Sequence, residues 1–155
     1  MSSSTVSHDT FVIERTYDAS AQQVFKAWSD PSVKSRWFAG KEWALREDYD
    51  LDFRVGGREV NRGGPPGGPV YTYDALYQDI VADERVVFTY EMYADDTRIS
   101  VSVATVEITP DGERTRLVFT EQGAFLDGLD SVAAREEGTQ SLLDSLGADL
   151  ARQTV

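Results

Sequence analysis

The sequence contains no cysteine, which removes disulfides, thiolate nucleophiles and cysteine-based metal sites. Its one histidine, His8, lies in a Ser-rich polar opening, residues 1–9, that reads as a disordered tail. A Ser-His-Asp triad therefore has no histidine to use. Without a second histidine or any EF-hand-like spacing of carboxylates, no metal and no other cofactor is expected. No apolar run approaches the roughly 18 residues of a membrane-spanning helix. MSSSTVSHDT has neither the basic nor the apolar region of a signal peptide, so the cytoplasm is the expected compartment. Positive charge is also scarce: 15 Lys and Arg stand against 27 Asp and Glu, a net charge of -12. Such a surface repels phosphate backbones and anionic lipid headgroups, which excludes nucleic acid and membrane as expected partners.

What is present suffices for one domain, expected over residues 10–153 as a monomer or homodimer. The chain has 155 residues, 41% of them hydrophobic, with three tryptophans, seven tyrosines and seven phenylalanines, enough to build a core. Its organising stretch runs from Asp130 to Arg152. Val132, Thr139, Leu142, Leu143, Leu146 and Leu150 recur there at helical spacing, which predicts one amphipathic helix roughly 35 Å long with Asp130 as N-cap. Phe11 to Tyr17 predicts a strand. Ser20 then caps a short helix carrying Val24, Phe25 and Trp28, and after a break at Ser29-Asp30 a second short helix begins at Pro31 with Val33, Trp37 and Phe38 on its apolar side. Strands follow at 42–51, 58–62, 70–81, 85–94, 98–109 and 115–122. Val55-Gly56-Gly57-Arg58 marks a turn or bulge, and GGPPGGP at 63–69 an exposed hairpin loop.

The strand at 98–109 changes phase. Ile99, Val101 and Val103 alternate with serines, after which Ala104, Val106 and Ile108 carry the apolar pattern, so a bulge is expected near Val103. The class is α+β: a curved antiparallel sheet of six to seven strands, two short helices, and a long C-terminal helix laid across the apolar sheet face.

Several stretches together resemble one family. FVIERTYDASAQQVFKAWSDPSVKSRWF, the VGGR turn at 55–58, DIVADERVVFTYEM, and TRLVFTEQGAFLDG followed by REEGTQSLLDSL are similar to the activator of heat shock protein 90 ATPase family, within the START-like, Bet v-like helix-grip superfamily. The resemblance covers most of residues 11–150. It implies a helix-grip fold holding a small hydrophobic or aromatic molecule between the sheet and the last helix. The alternatives are a co-chaperone role in which the partner is a chaperone or other protein and its ATPase is stimulated, as in a stress response, and a cyclase-like enzyme using Glu121. Many relatives carry Gly-Trp in the last helix where this chain has Gly138-Thr139, so the space of that tryptophan is either open or filled from elsewhere.

The residues expected to touch a ligand are Trp37, Phe38, Trp43, Tyr73, Tyr90, Phe119, Glu121 and Leu143. The aromatic residues beside the short helices either wall a cavity or pack the core, with core packing favoured for Trp28. Tyr73, Tyr77 and Tyr90 could offer hydroxyls to a ligand, although core or surface placement is commoner for strand tyrosines. Glu121 shares the inward phase of Leu117 and Phe119. Its carboxylate is expected to face the cavity and to be paired with an arginine, Arg116 or Arg135, or with a tyrosine, because an unpaired buried charge costs several kcal/mol. No conventional catalytic set is present, which favours a non-catalytic binding domain.

Overall fold

The computed structural model describes residues 4–38 and 45–153. Its elements run β1 (Val6–Tyr17), α1 (Ala21–Ser29), α2 (Pro31–Trp37), β2 (Leu45–Leu51), β3 (Arg58–Gly64), β4 (Tyr71–Val81), β5 (Arg85–Ala94), β6 (Thr97–Asp111), β7 (Arg114–Leu126) and α3 (Val132–Gln153). The strands form one antiparallel sheet in the order β1-β7-β6-β5-β4-β3-β2. The two short helices thus connect its two edge strands, and α3 packs over β1, α1 and α2. This is the helix-grip arrangement. Among the described residues no helix is long and apolar enough to cross a membrane.

Local chemistry accounts for the helix ends. Ser20 and Gln23 form a capping box, with the Gln23 amide donating to Ser20 Oγ and the Ser20 amide donating to Gln23 Oε1. Asp30 closes α1 and also caps α2, accepting from the Ser32 amide at 3.0 Å, and Pro31 takes the first helical position, where its missing N–H costs nothing. Arg36 on α2 grips Asp149 on α3 through Nε at 2.9 Å and Nη2 at 3.0 Å, which ties the connecting helix to the long one. The turn before β3 needs both its glycines: Gly56 has φ +84°, and a Cβ on Gly57 would lie 2.1 Å from the Asp52 carbonyl oxygen.

Four expectations are corrected. The strand β1 begins at Val6, so residues 6–9, including His8, belong to the sheet and not to a tail. The strand β7 likewise continues to Leu126, and the two extensions pair with each other from Val6↔Leu126 to Asp9↔Gly123. Neither segment has a strand-like pattern of its own, and each is held by the backbone of the other. The expected loop 63–69 is shorter than its composition indicates, because Gly63 and Gly64 are buried within β3. A Cβ on Gly64 would meet the Pro69 carbonyl oxygen at 2.3 Å. At the start of α3 the cap is Ser131, whose Oγ accepts from the Ala134 amide. Asp130 instead accepts from the Ser131 amide and from Arg135.

The fourth correction concerns β6. Its irregularity lies at Ile99, between the pairs Met92↔Ser100 and Tyr93↔Arg98, and not near Val103. Ile99 and Ser100 are both buried, and from there Ser102, Ala104, Val106 and Ile108 face the core, while Val101 and Val103 are exposed. The valines lie on the outer face as good strand formers, and the serines face inward. Ser100 does so because it serves a buried arginine.

Candidate functional site

The inner sheet face and α3 enclose a cavity of about 380 Å³, within the roughly 300–1,000 Å³ that holds drug-sized molecules. Alternation along the strands points Tyr73 of β4, Phe88 and Tyr90 of β5, and Phe119 and Glu121 of β7 to the same side. Trp37 and Phe38 come from α2 and its C-cap, and Arg135, Gly138, Thr139, Leu142 and Leu143 from one face of α3. The aromatic rings interlock: Phe38 meets Tyr73 edge-on at 5.0 Å between centroids, Tyr73 tilts over Tyr90 at 4.7 Å, and Trp28 stands edge-on to Trp37 at 4.8 Å and stacks on Phe119 at 6.3 Å. Leu129, 51% exposed, and the exposed Ala134 line the side where the cavity meets solvent.

One corner of this apolar space is charged. Glu121, 1% exposed, accepts through Oε2 from the Tyr90 hydroxyl at 2.7 Å and from Arg135 Nη1 at 3.2 Å. Arg135 Nη1 also donates to the Tyr90 oxygen, and Nη2 to Ser100 Oγ at 2.7 Å and to Asp130 at 2.6 Å. Its guanidinium carbon lies over the Tyr90 and Phe125 rings at 5.5 and 5.4 Å. Burial pushes the Tyr90 hydroxyl far above its ordinary range and the Glu121 charge adds to the effect, so it remains a neutral donor. Tyr73 is raised in the same way, chiefly by burial and then by Glu59. Four side-chain atoms of cavity-lining residues are buried without a hydrogen-bond partner among the described residues: Glu121 Oε1, Asn61 Oδ1, the Tyr73 hydroxyl and Trp28 Nε1.

A second buried charge pair stands behind the aromatic wall. Lys34 Nζ donates to Glu59 Oε1 at 2.7 Å, with both side chains fully enclosed. The Tyr77 hydroxyl donates to the same oxygen at 2.9 Å and the Tyr49 hydroxyl to Oε2 at 2.7 Å. The ammonium lies 4.2 Å from the centroid of Phe38, itself a wall of the cavity. Burial pulls Lys34 below the usual lysine range, and the Glu59 charge works against that pull.

Of the residues expected to touch a ligand, Trp37, Phe38, Tyr73, Tyr90, Phe119, Glu121 and Leu143 line the cavity together, whereas Trp43 lies outside the described residues. Trp28 serves both readings, being 3% exposed in the core and also lining the cavity. Tyr77 belongs to the Lys34 cluster. Gly138 and Thr139, at the Gly-Trp position of relatives, border the open space. The site member that periodicity alone missed is Asn61, and with it went the buried pair Lys34 and Glu59 behind the wall. A signal existed, since Lys34 shares the helical face of Trp37 and Phe38, and Glu59 and Asn61 occupy the inward phase of β3. Charge on those faces argued for solvent until a partner from elsewhere in the chain was in place.

Comparison with solved structures finds the same architecture. An uncharacterised protein from Rhizobium leguminosarum is 45% identical, with a TM-score of 0.91 over 96% of this chain and 98% of that one. A protein from Rhizobium loti is 49% identical, with a TM-score of 0.87 over 94% and 99%. One from Chromobacterium violaceum shares the fold at 21% identity, with a TM-score of 0.77 over 91% and 96%. Among proteins of curated description none matches. The model of the family described as activator of Hsp90 ATPase homolog 1-like protein matches residues 18–151, and the chain belongs to that family.

Proposed function

We propose that this protein is a non-catalytic binding domain that holds a small hydrophobic or aromatic molecule between its sheet and α3. The observation that carries the reading is the cavity of about 380 Å³ walled by Trp37, Phe38, Tyr73, Tyr90 and Phe119. A closed and filled core would have favoured an interaction role for the outer surface instead. Glu121, the residue on which an enzymatic reading would rest, is engaged by Tyr90 and Arg135, which supports an orienting role for it.

Native mass spectrometry of freshly purified protein tests the reading, because a retained apolar molecule reveals itself by mass. The expected result is a bound species, or an apoprotein that takes up biphenyl. The variant Thr139→Trp, which puts the indole of relatives into the open space, should fold and lose that uptake. Failure of the parent protein to hold any aromatic molecule would sink the proposal.

A further inference from the structure

Resting on that reading of the cavity, we infer that the preferred ligand is a neutral aromatic molecule carrying a hydrogen-bond donor, such as a phenolic hydroxyl or an aromatic N–H, and that anionic apolar ligands are rejected. The argument is an accounting of polar atoms. Glu121 Oε1 and Asn61 Oδ1 are acceptors, both on side chains about 1% exposed, and both line the cavity without a partner among the described residues. The Tyr73 hydroxyl and Trp28 Nε1, on two further lining residues, are in the same state, so that two pure acceptors stand against one pure donor, the indole N–H. A buried acceptor left unmatched is costly, so a ligand that presents a donor gains what a purely apolar one forfeits.

The single cation lining the cavity among the described residues, Arg135, offers no seat for an anion. Arg135 Nη1 already serves Tyr90 and Glu121, and Nη2 serves Ser100 and Asp130, so both terminal nitrogens are occupied by the protein. A ligand carboxylate would then face Glu121 and Asp130 with no free terminal guanidinium nitrogen to meet it, and like charges beside a buried carboxylate repel. A ligand ammonium would bring a charge to be desolvated against a carboxylate already shared by Arg135 and Tyr90. The neutral donor needs neither compensation.

Four probes of one shape decide the matter: biphenyl, para-hydroxybiphenyl, para-methoxybiphenyl and biphenyl-para-carboxylate, each titrated calorimetrically at neutral pH. The hydroxy compound should bind about tenfold more tightly than the methoxy compound, with biphenyl near the methoxy compound and the carboxylate weakest. Equal affinity for hydroxy and methoxy probes, or tightest binding of the carboxylate, overturns the inference while leaving the cavity reading intact. Binding of none of the four overturns both.

Two variants locate the preference. In Glu121→Gln the amide oxygen takes over acceptance from Tyr90 and Arg135, and the cavity receives an N–H₂ in place of a free acceptor. The hydroxy-over-methoxy ratio should collapse toward one. Tyr73→Phe removes a hydroxyl that has no hydrogen-bond partner among the described residues, so folding should survive, and para-hydroxybiphenyl alone should weaken. A ratio unchanged in both variants would mean that the donor is recognised elsewhere, and the assignment fails.

Discussion

Lys34 and Arg135 are both buried cations, each held by a glutamate on the inner sheet face and in reach of a tyrosine hydroxyl, yet one cluster closes on itself and the other does not. Around Lys34 both oxygens of Glu59 are occupied, one by the ammonium and Tyr77 and the other by Tyr49. Around Arg135 every donor to Glu121 converges on Oε2, and Oε1 has no partner among the described residues. The Lys34 and Glu59 side chains are fully enclosed and lie behind Phe38, while Glu121 and Arg135 are part of the cavity wall. The difference teaches how to tell a structural ion pair from a site: the structural pair exhausts its own valences, and the site keeps one over.

The sharpest way to break this comparison is to remove each cation. Lys34→Met leaves the Glu59 carboxylate in a sealed place and should cost about 3 to 5 kcal/mol. Arg135→Met should cost less, about 2 kcal/mol, because Glu121 retains the Tyr90 hydroxyl and adjoins a space that water can enter. Urea unfolding of both variants checks the order. Equal losses would mean that the two clusters are equally sealed, and the distinction between them would fall.

Leu143 sharpens the picture from the cavity side, since it is 1% exposed and also lines the open space. Leu143→Ala should cost about 2 kcal/mol, the low end for a buried leucine, because one of its sides already lacks packing neighbours. Saturating biphenyl should restore part of the loss. A cost near 5 kcal/mol, unaffected by the probe, would show a leucine packed on every side.

The smallest effect is expected at the latch between α2 and α3, where a half-exposed Arg36 meets a buried Asp149. Hydrogen bonds from Arg36, opposed by burial, hold the Asp149 carboxyl below the usual range. Its folded state therefore binds protons less readily than the unfolded chain, so the latch contributes fully above about pH 4 and is lost as pH falls through and below that value. Arg36 is 47% exposed, and screening keeps the contribution to about 1 kcal/mol. Asp149→Asn should lower the urea midpoint slightly at pH 7 and flatten its decline between pH 4 and 3. An unaltered acid limb would remove the latch from the account of stability.

The sequence by itself determined whatever depends on near neighbours. Ser20 and Gln23, Asp30 and Pro31 set the two short helices, the leucine spacing set α3, and the alternation of Leu117, Phe119 and Glu121 put the glutamate inside, because caps and periodicities act within a few residues of chain. Most of the aromatic wall was legible for the same reason. Tertiary structure alone decided what depends on a partner from far along the chain. Val6 to Asp9 is strand because Gly123 to Leu126 pairs with it. Ser100 faces inward because Arg135 is there to use it. Lys34 is tolerated in the core because Glu59, Tyr77 and the Phe38 ring meet it. Periodicity reports which side of an element a residue occupies, whereas the cost of burying a polar group depends on the group that meets it, and only the folded chain brings the two together.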